Sequence, residues 1–312
     1  MIWAIVLFLG VIAAAPFVVE ALRPRMGSEA RKSAPGEFVQ LSRGLTHYQW
    51  RGPSRGPVAV CVHGLTTPSY VWGPIADGLA RMGFRVLTYD LYGRGFSDRP
   101  RGPQDAAFFI TQLEELLESQ EVDEDFTLLG YSMGGSIVTA FAAHAPHRVR
   151  KLVLLAPGGL GHDLGPVARL VTGYGWLSTW LMHATYGRSH RAHTETERHL
   201  PSAVEGIVDL QQAELQWRGF LRSVQSSMRD MLHGDLIEEH QDIAAAGVPV
   251  LAIWGREDDV IPITGLGKLA KWNREARQEV IEGAGHGLAY THPQEVLEAM
   301  HDLMNDPDGH LR

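Results

Sequence analysis

One cysteine, Cys61, stands in 312 residues. A lone thiol excludes an intrachain disulfide framework and a zinc site built on several cysteines, but it leaves the compartment open, since many exported proteins carry no disulfide. A basic surplus is also missing. Lys and Arg number 28 against 36 Asp and Glu, a formal charge of −8 with a pI near 6.0. A general binder of nucleic acid would show the opposite sign. Internal repeats and low-complexity tracts are absent, and 45% apolar with 21% charged residues argues against a disordered or collagenous chain. The length gives a prior of about two domains and suffices to bury a core without covalent staples. Charge is missing from one place in particular: residues 2–19 contain none, and Glu20 is the first.

Eighteen helical residues span about 27 Å, close to the roughly 30 Å of a hydrocarbon core. The run has no polar face, so a helix docked on a core is the weaker reading. A cleaved signal peptide is the other alternative. It wants a basic start, which is lacking, and Pro16 follows Ala13-Ala14-Ala15 where cutting would occur. The positive charges come afterwards, at Arg23, Arg25, Arg31 and Lys32, which keeps that flank cytoplasmic by the positive-inside rule. The expectation is a membrane anchor over 1–22, a small polar linker over 23–36, and the remaining chain on the cytoplasmic side.

Beyond the linker, strand-like and helix-like stretches alternate. Phe38–Leu41 and Leu45–Trp50 read as antiparallel edge strands around Ser42-Arg43-Gly44. Val58–Val62, Phe84–Leu91, Phe126–Gly130, Val149–Ala156, Val248–Gly255 and Glu279–Ile281 read as buried strands. Helical spacing marks Trp72–Met82, Ala106–Ser119, Met133–His144 and Pro293–Met304. This order predicts an α/β fold: a mostly parallel sheet with helices on both faces. The alternation stops over 158–247, where Gly165–Thr172, Trp176–Tyr186 and Val204–Leu232 look helical. That stretch is too long for a loop and reads as a helical insertion between core segments 37–157 and 248–312.

Gly130-Tyr131-Ser132-Met133-Gly134 is a Gly-x-Ser-x-Gly pattern between an apolar strand and the helix that opens with Ile137 and Val138. In that setting it predicts a tight strand–turn–helix elbow carrying an exposed Ser132. A serine hydroxyl needs a base at neutral pH. Among 15 histidines, His286 stands out, just after the strand around Glu279–Ile281 and on the glycine-rich Gly283–Gly287 loop. The base in turn needs a carboxylate, and Asp258 and Asp259 both follow the strand Val248–Gly255.

Together these residues resemble the α/β-hydrolase fold superfamily. His63-Gly64, Gly93-x-Gly95-x-Ser97-Asp98-x-Pro100, Gly130-x-Ser132-x-Gly134, Gly255-x-x-Asp258 and Gly285-His286 stand in that family's order over about 38–304. The resemblance implies a triad of Ser132, Asp258 and His286, with Asp258 preferred over Asp259, and an oxyanion hole from the amides of Leu65 and Met133. The segment His63-Gly64-Leu65 is similar to the simpler His-Gly-x branch, and no His-Gly-Gly-Gly run is present. The insertion would be a cap over the site, where Trp176 and Trp180 either line an acyl site or pack between helices.

The remaining candidates have plainer readings. Cys61 reads as an inert core residue, and Arg94 and Asp98 as braces of their loop. His183, His190, His193 and His199 lack a metal-ligand spacing and read as a solvated helix face. No cofactor and no metal are expected. The resemblance implies a serine hydrolase acting on a small-molecule carboxylic ester, apolar or lipid-like. A carbon–carbon bond hydrolase of ring-cleavage products, a serine aminopeptidase and a non-catalytic membrane-tethered scaffold are the alternatives.

Overall fold

The continuous apolar runs become strands of a sheet buried on both faces. A computed structural model describes residues 1–161 and 165–305; residues 162–164 of the expected insertion and 306–312 of the expected core lie outside them. The strands are β1 Glu37–Leu41, β2 Gly44–Arg51, β3 Val58–Val62, β4 Arg85–Tyr89, β5 Phe126–Tyr131, β6 Val149–Leu155, β7 Val250–Gly255 and β8 Arg277–Ile281. They form one eight-stranded sheet in the order β1-β2-β4-β3-β5-β6-β7-β8. β2 is antiparallel to both β1 and β4, and every other pairing is parallel. Only β1 of the first two strands is therefore an edge.

Helices α1 Ile2–Leu22 and α2 Ser28–Arg31 precede the sheet, and α3 Gly73–Arg81, α4 Ala106–Ser119 and α5 Met133–His144 connect its middle strands. Between β6 and β7 stand α6 Gly165–Thr172, α7 Trp176–Leu181, α8 Gly187–Thr196, α9 Ile207–Ala213, α10 Phe220–Asp230 and α11 Ile237–Ala245. Finally come α12 Thr264–Trp272, α13 Leu288–Thr291 and α14 Pro293–Asn305. Val60, Val62, Leu128, Leu152, Leu154 and Ala252 face the layer of α4, α5, α11 and α12. Ala59, Cys61, Leu129, Val153, Leu155 and Ile253 face that of α3, α13 and α14. Burial on both faces explains why these strands read as continuous apolar runs. It also pushes the Cys61 thiol above its ordinary range, which leaves it an unreactive packing group.

Three expectations change at the insertion. The helical segment expected over Trp176–Tyr186 does not stop there, because α7 passes through a π-helical turn over Met182–Tyr186 directly into α8. Val204–Leu232 breaks at Gly219, whose φ of +95° suits glycine, into α9, a 3₁₀ turn over Glu214–Gln216, and α10. The insertion also ends before residue 237 rather than at 247: α11 packs on α5, with Ile243 inside the first core layer.

The N-terminal run forms α1, whose 21 residues reach about 30 Å. None of them is buried. Pro16 has no N–H, so the carbonyl of Ile12, four residues earlier, loses its helical partner. The indole Nε1 of Trp180 donates to that carbonyl at 3.1 Å. Residues 23–36 are pinned to the core rather than loosely tethered. Met26 is buried, Arg31 pairs with Asp98 at 2.6 Å, and the Pro35 carbonyl meets His47 Nε2.

The buried histidines predict an acid limit on stability. Burial pushes His63, His190 and His240 from 6.5 to about 4. Unfolding therefore takes up protons as pH falls below 6.5, and stability falls with it. Glu214 opposes this, because burial raises it from 4.5 to about 7 and unfolding releases its proton. Of these four groups three take up a proton and one releases it, a net uptake of about two. His183, also lowered by burial, adds to the uptake, and His47, raised beside Asp90, opposes it chiefly above pH 6.5. The unfolding midpoint should drop steadily from pH 6.5 to pH 4.5; a flat profile would show that these imidazoles titrate freely in the folded chain.

Candidate active site

Parallel strands point their carboxyl ends the same way, so loops after β3, β5, β7 and β8 converge on one edge of the sheet. The loop after β5 is the elbow. Ser132 sits at φ 55°, ψ −120°, a conformation that is costly for a residue with a side chain. Its backbone is held from three directions: Ser132 N–H donates to Leu155 O at 2.9 Å, and Ser132 O accepts from Gly135 at 2.8 Å and Gly158 at 2.9 Å. Glycine is required around it. A Cβ on Gly134 would stand 2.0 Å from Val62 O, and one on Gly130 2.5 Å from Gly134 O.

The strained turn delivers Ser132 Oγ to His286 Nε2 at 2.9 Å. His286 Nδ1 lies 2.9 Å from Asp258 Oδ2, and Asp258 Oδ1 accepts from the amides of Val260 at 2.8 Å and Ile261 at 2.7 Å. The structure thus brings together the three residues singled out in the sequence. Of the two carboxylates, Asp258 is buried and reaches His286, and Asp259 is exposed. With Asp258 as acceptor, Nδ1 carries the proton and Nε2 is free to accept one from Ser132.

The loop after β3 places Gly64 and Leu65 against the elbow, and a Cβ on Gly64 would stand 3.1 Å from Ser132 Cβ. His63 is buried beneath it. Its Nδ1 donates to Gly64 O at 2.8 Å and its Nε2 accepts from Leu91 N–H at 2.9 Å, a pairing that requires the neutral ring. Arg94 Nε donates to Leu65 O at 2.9 Å, so the loop is held from both sides. The same guanidinium reaches Gln104 and, on α10, Ser227. The bracing role expected of Arg94 extends in this way to the inserted helices. Asp98 accepts from Leu45 N–H at 2.8 Å and from Arg31, in keeping with its expected role. Among the described residues the Leu65 and Met133 amides donate to no backbone acceptor, and Met133 opens α5, where the helix dipole favours negative charge.

Above this edge lies a cavity of about 220 Å³, lined by Leu65, Ser132, Met133 and His286 below and by Tyr186, His190, His193, Glu197, Gln211, Met228 and Leu232 from the inserted helices. Trp176 and Trp180, expected as acyl-site candidates, are not among its lining residues. Trp176 is exposed, and Trp180 is turned onto α1 because the Ile12 carbonyl there needs a donor. The solvated histidine face holds for His193 and His199 and fails for the other two. His190 is buried and stacks on Tyr186 with centroids 5.9 Å apart, while His183 lies edge-on to Phe17 of α1. Sequence reasoning missed Tyr131, whose hydroxyl donates to the His286 carbonyl at 2.9 Å, and the Tyr290–Glu197 hydrogen bond at 2.6 Å. Tyr131 and Tyr290 sit one residue before Ser132 and four after His286, a proximity that was the only available signal.

Comparisons with known proteins agree with this architecture. The chain is 28% identical to a 2-hydroxymuconate semialdehyde hydrolase of Pseudomonas putida, over 89% of this chain and 99% of that one. It is 23% identical to a monoacylglycerol lipase of Rattus norvegicus, over 85% and 81% of the two chains. A crystal structure of a hydrolase from Pseudomonas aeruginosa superposes with a TM-score of 0.72 at 25% identity, covering 88% of this chain and all of that one. The family model for the alpha/beta hydrolase fold matches residues 57–293, a span that contains Ser132, Asp258 and His286, and the chain belongs to that family.

Proposed function

We propose that the chain hydrolyses a neutral carboxylic ester with an apolar acyl group, through an acyl-enzyme on Ser132. The observation that carries this reading is the Ser132–His286–Asp258 relay opening into a cavity whose lining, among the described residues, holds no Lys or Arg. Ser132 Oγ attacks the ester carbonyl while its proton passes to His286 Nε2. The tetrahedral oxyanion falls to the Leu65 and Met133 amides. Its collapse expels the alkoxide, which takes the proton from His286. Water then gives a proton to His286 and attacks the acyl carbon, and Ser132 leaves with the proton returned. Asp258 holds Nδ1–H in place and supports the imidazolium between transfers. The inserted helices up to residue 236 act as a cap that excludes water. Helix α1 anchors the enzyme to a membrane on its Arg23–Lys32 side, within reach of membrane-soluble substrates.

A second reading, carbon–carbon hydrolysis, draws on the likeness to the 2-hydroxymuconate semialdehyde hydrolase and uses the same relay. A muconate carries a carboxylate, and a buried carboxylate needs a cationic partner. The cavity offers Glu197 instead, a like charge. A fluorophosphonate probe should label Ser132, and neutral p-nitrophenyl esters should exceed an anionic ring-cleavage dienoate in kcat/KM by on the order of 10²-fold. Preferential turnover of the dienoate would reverse the assignment.

A further inference from the structure

At the C-terminal end of α1 lies a cavity of about 530 Å³ that the hydrolytic site does not use. Six arginines line it, Arg25, Arg43, Arg99, Arg101, Arg218 and Arg222, against two carboxylates, Glu20 and Asp98. Both carboxylates are already committed. Glu20 accepts from Arg23 at 2.7 Å and from the Gly219 amide at 2.6 Å, and Asp98 from Arg31 at 2.6 Å and the Leu45 amide at 2.8 Å. Among the described residues the guanidinium groups of Arg25, Arg101 and Arg218 donate to no protein acceptor. Among the described residues two buried nitrogens there make no hydrogen bond: Arg99 Nε, whose guanidinium pairs with Glu214 at 3.5 Å through its other end, and His183 Nδ1, which lies 3.8 Å from Glu20 Oε2. Burial, followed by the like charge of Arg101, pushes Arg222 below the usual guanidinium range. A chain of net charge −8 has gathered an excess of four positive charges in one recess. Such a cluster is relieved by an anion whose several oxygens accept from a fork of donors, which describes a phosphate.

We propose that this cavity binds the phosphate of an anionic phospholipid headgroup. The lipid source follows from where the cavity sits. Phe17, Glu20 and Ala21, from the last turns of α1, form part of its wall. The rest of α1 is apolar and unburied, and α7, which contacts it through Trp180, carries exposed Trp176 and Leu177, with Leu170 and Tyr174 exposed just before. With α1 in a bilayer these side chains meet the acyl region, and the final turn of α1 brings the arginines to the level of the headgroup phosphates. The inference rests on the reading of α1 as a membrane anchor, and its test separates the two.

Flotation of the full chain with phosphatidylcholine vesicles tests the anchor alone. In neutral detergent, native mass spectrometry of the full chain with equimolar phosphatidylglycerol and phosphatidylcholine of matched acyl chains tests the cavity. The wild type should retain phosphatidylglycerol over phosphatidylcholine by at least about tenfold. The double variant Arg101→Gln/Arg218→Gln should lose that preference while floating and turning over a soluble ester like the wild type, which reports an intact fold. Equal retention of the two lipids by a wild type that floats would overturn the headgroup site and leave the anchor standing. Displacement of phosphatidylglycerol by millimolar inorganic phosphate would overturn the lipid source and assign the recess to a free anion. Failure to float would remove the anchor, and the lipid assignment with it.

Discussion

Ser132→Ala is expected to lower kcat/KM for ester hydrolysis by about 10⁴- to 10⁶-fold while leaving the unfolding midpoint near that of the wild type. The separation of activity from stability follows from how the elbow is held. The contacts that fix Ser132 at φ 55° run through its own N–H and C=O, to Leu155, Gly135 and Gly158, and none uses the hydroxyl. Alanine bears the same Cβ penalty in that conformation, so the turn keeps its shape. Only the hydrogen bond to His286 Nε2 at 2.9 Å is lost, and with it the nucleophile. Residual turnover then comes from the cavity and the two amides acting on water. Steady-state kinetics, thermal melts and loss of fluorophosphonate labelling check this together. Turnover within tenfold of the wild type, in a variant that melts normally, would end the acyl-enzyme reading.

Most of the sheet was legible because its strands are buried on both faces. Val58–Val62 needs no partner to be read as a strand, since polar alternation is absent and glycines bound it. The elbow was legible for a related reason: Gly130 and Gly134 are forced by backbone contacts of 2.5 Å or less, so the motif reports steric necessity. Choosing Asp258 over Asp259 was harder, because adjacent carboxylates differ only in which one turns inward. The amides of Val260 and Ile261, which decide it, act through backbone geometry and have no residue code. Helices α11 and α12 escaped notice because they are short, and α12 contains Gly265 and Gly267. The inserted helices were the least legible part. Their positions depend on tertiary partners such as Arg94 with Ser227 and Trp180 with Ile12, pairs 133 and 168 residues apart. Trp180 reads from sequence alone as either an acyl-site contact or a helix-packing residue, because a large aromatic suits both. The feature that claims it is Pro16, whose meaning in the sequence is confined to an unfavourable cleavage site and does not extend to the carbonyl it frees.

Replacing Asp258 by asparagine preserves volume and should nonetheless reduce kcat by about 10⁴-fold with KM little changed. The two amides behind the carboxylate determine this. Oδ1 accepts from Val260 N–H at 2.8 Å and Ile261 N–H at 2.7 Å, so the asparagine carbonyl must take that position to keep both donors satisfied. Its NH₂ then faces His286 Nδ1, where the carboxylate oxygen had stood at 2.9 Å. Two donors cannot meet, so Nδ1 must become the acceptor and the ring proton moves to Nε2. Nε2 then donates toward Ser132 Oγ and can no longer take its proton. Flipping the amide instead would restore the tautomer only by setting NH₂ against two backbone N–H groups, a worse clash. Asparagine should therefore be no better than alanine at this position, although it is the closer mimic in shape. If Asp258 only packed or fixed its loop, the order would be reversed and asparagine would stand near the wild type. Asp259→Asn supplies the control: its side chain is exposed and outside the relay, so turnover should stay at the wild-type level. Rate measurements on the three variants, with melts to verify folding, distinguish a tautomer clamp from a structural carboxylate.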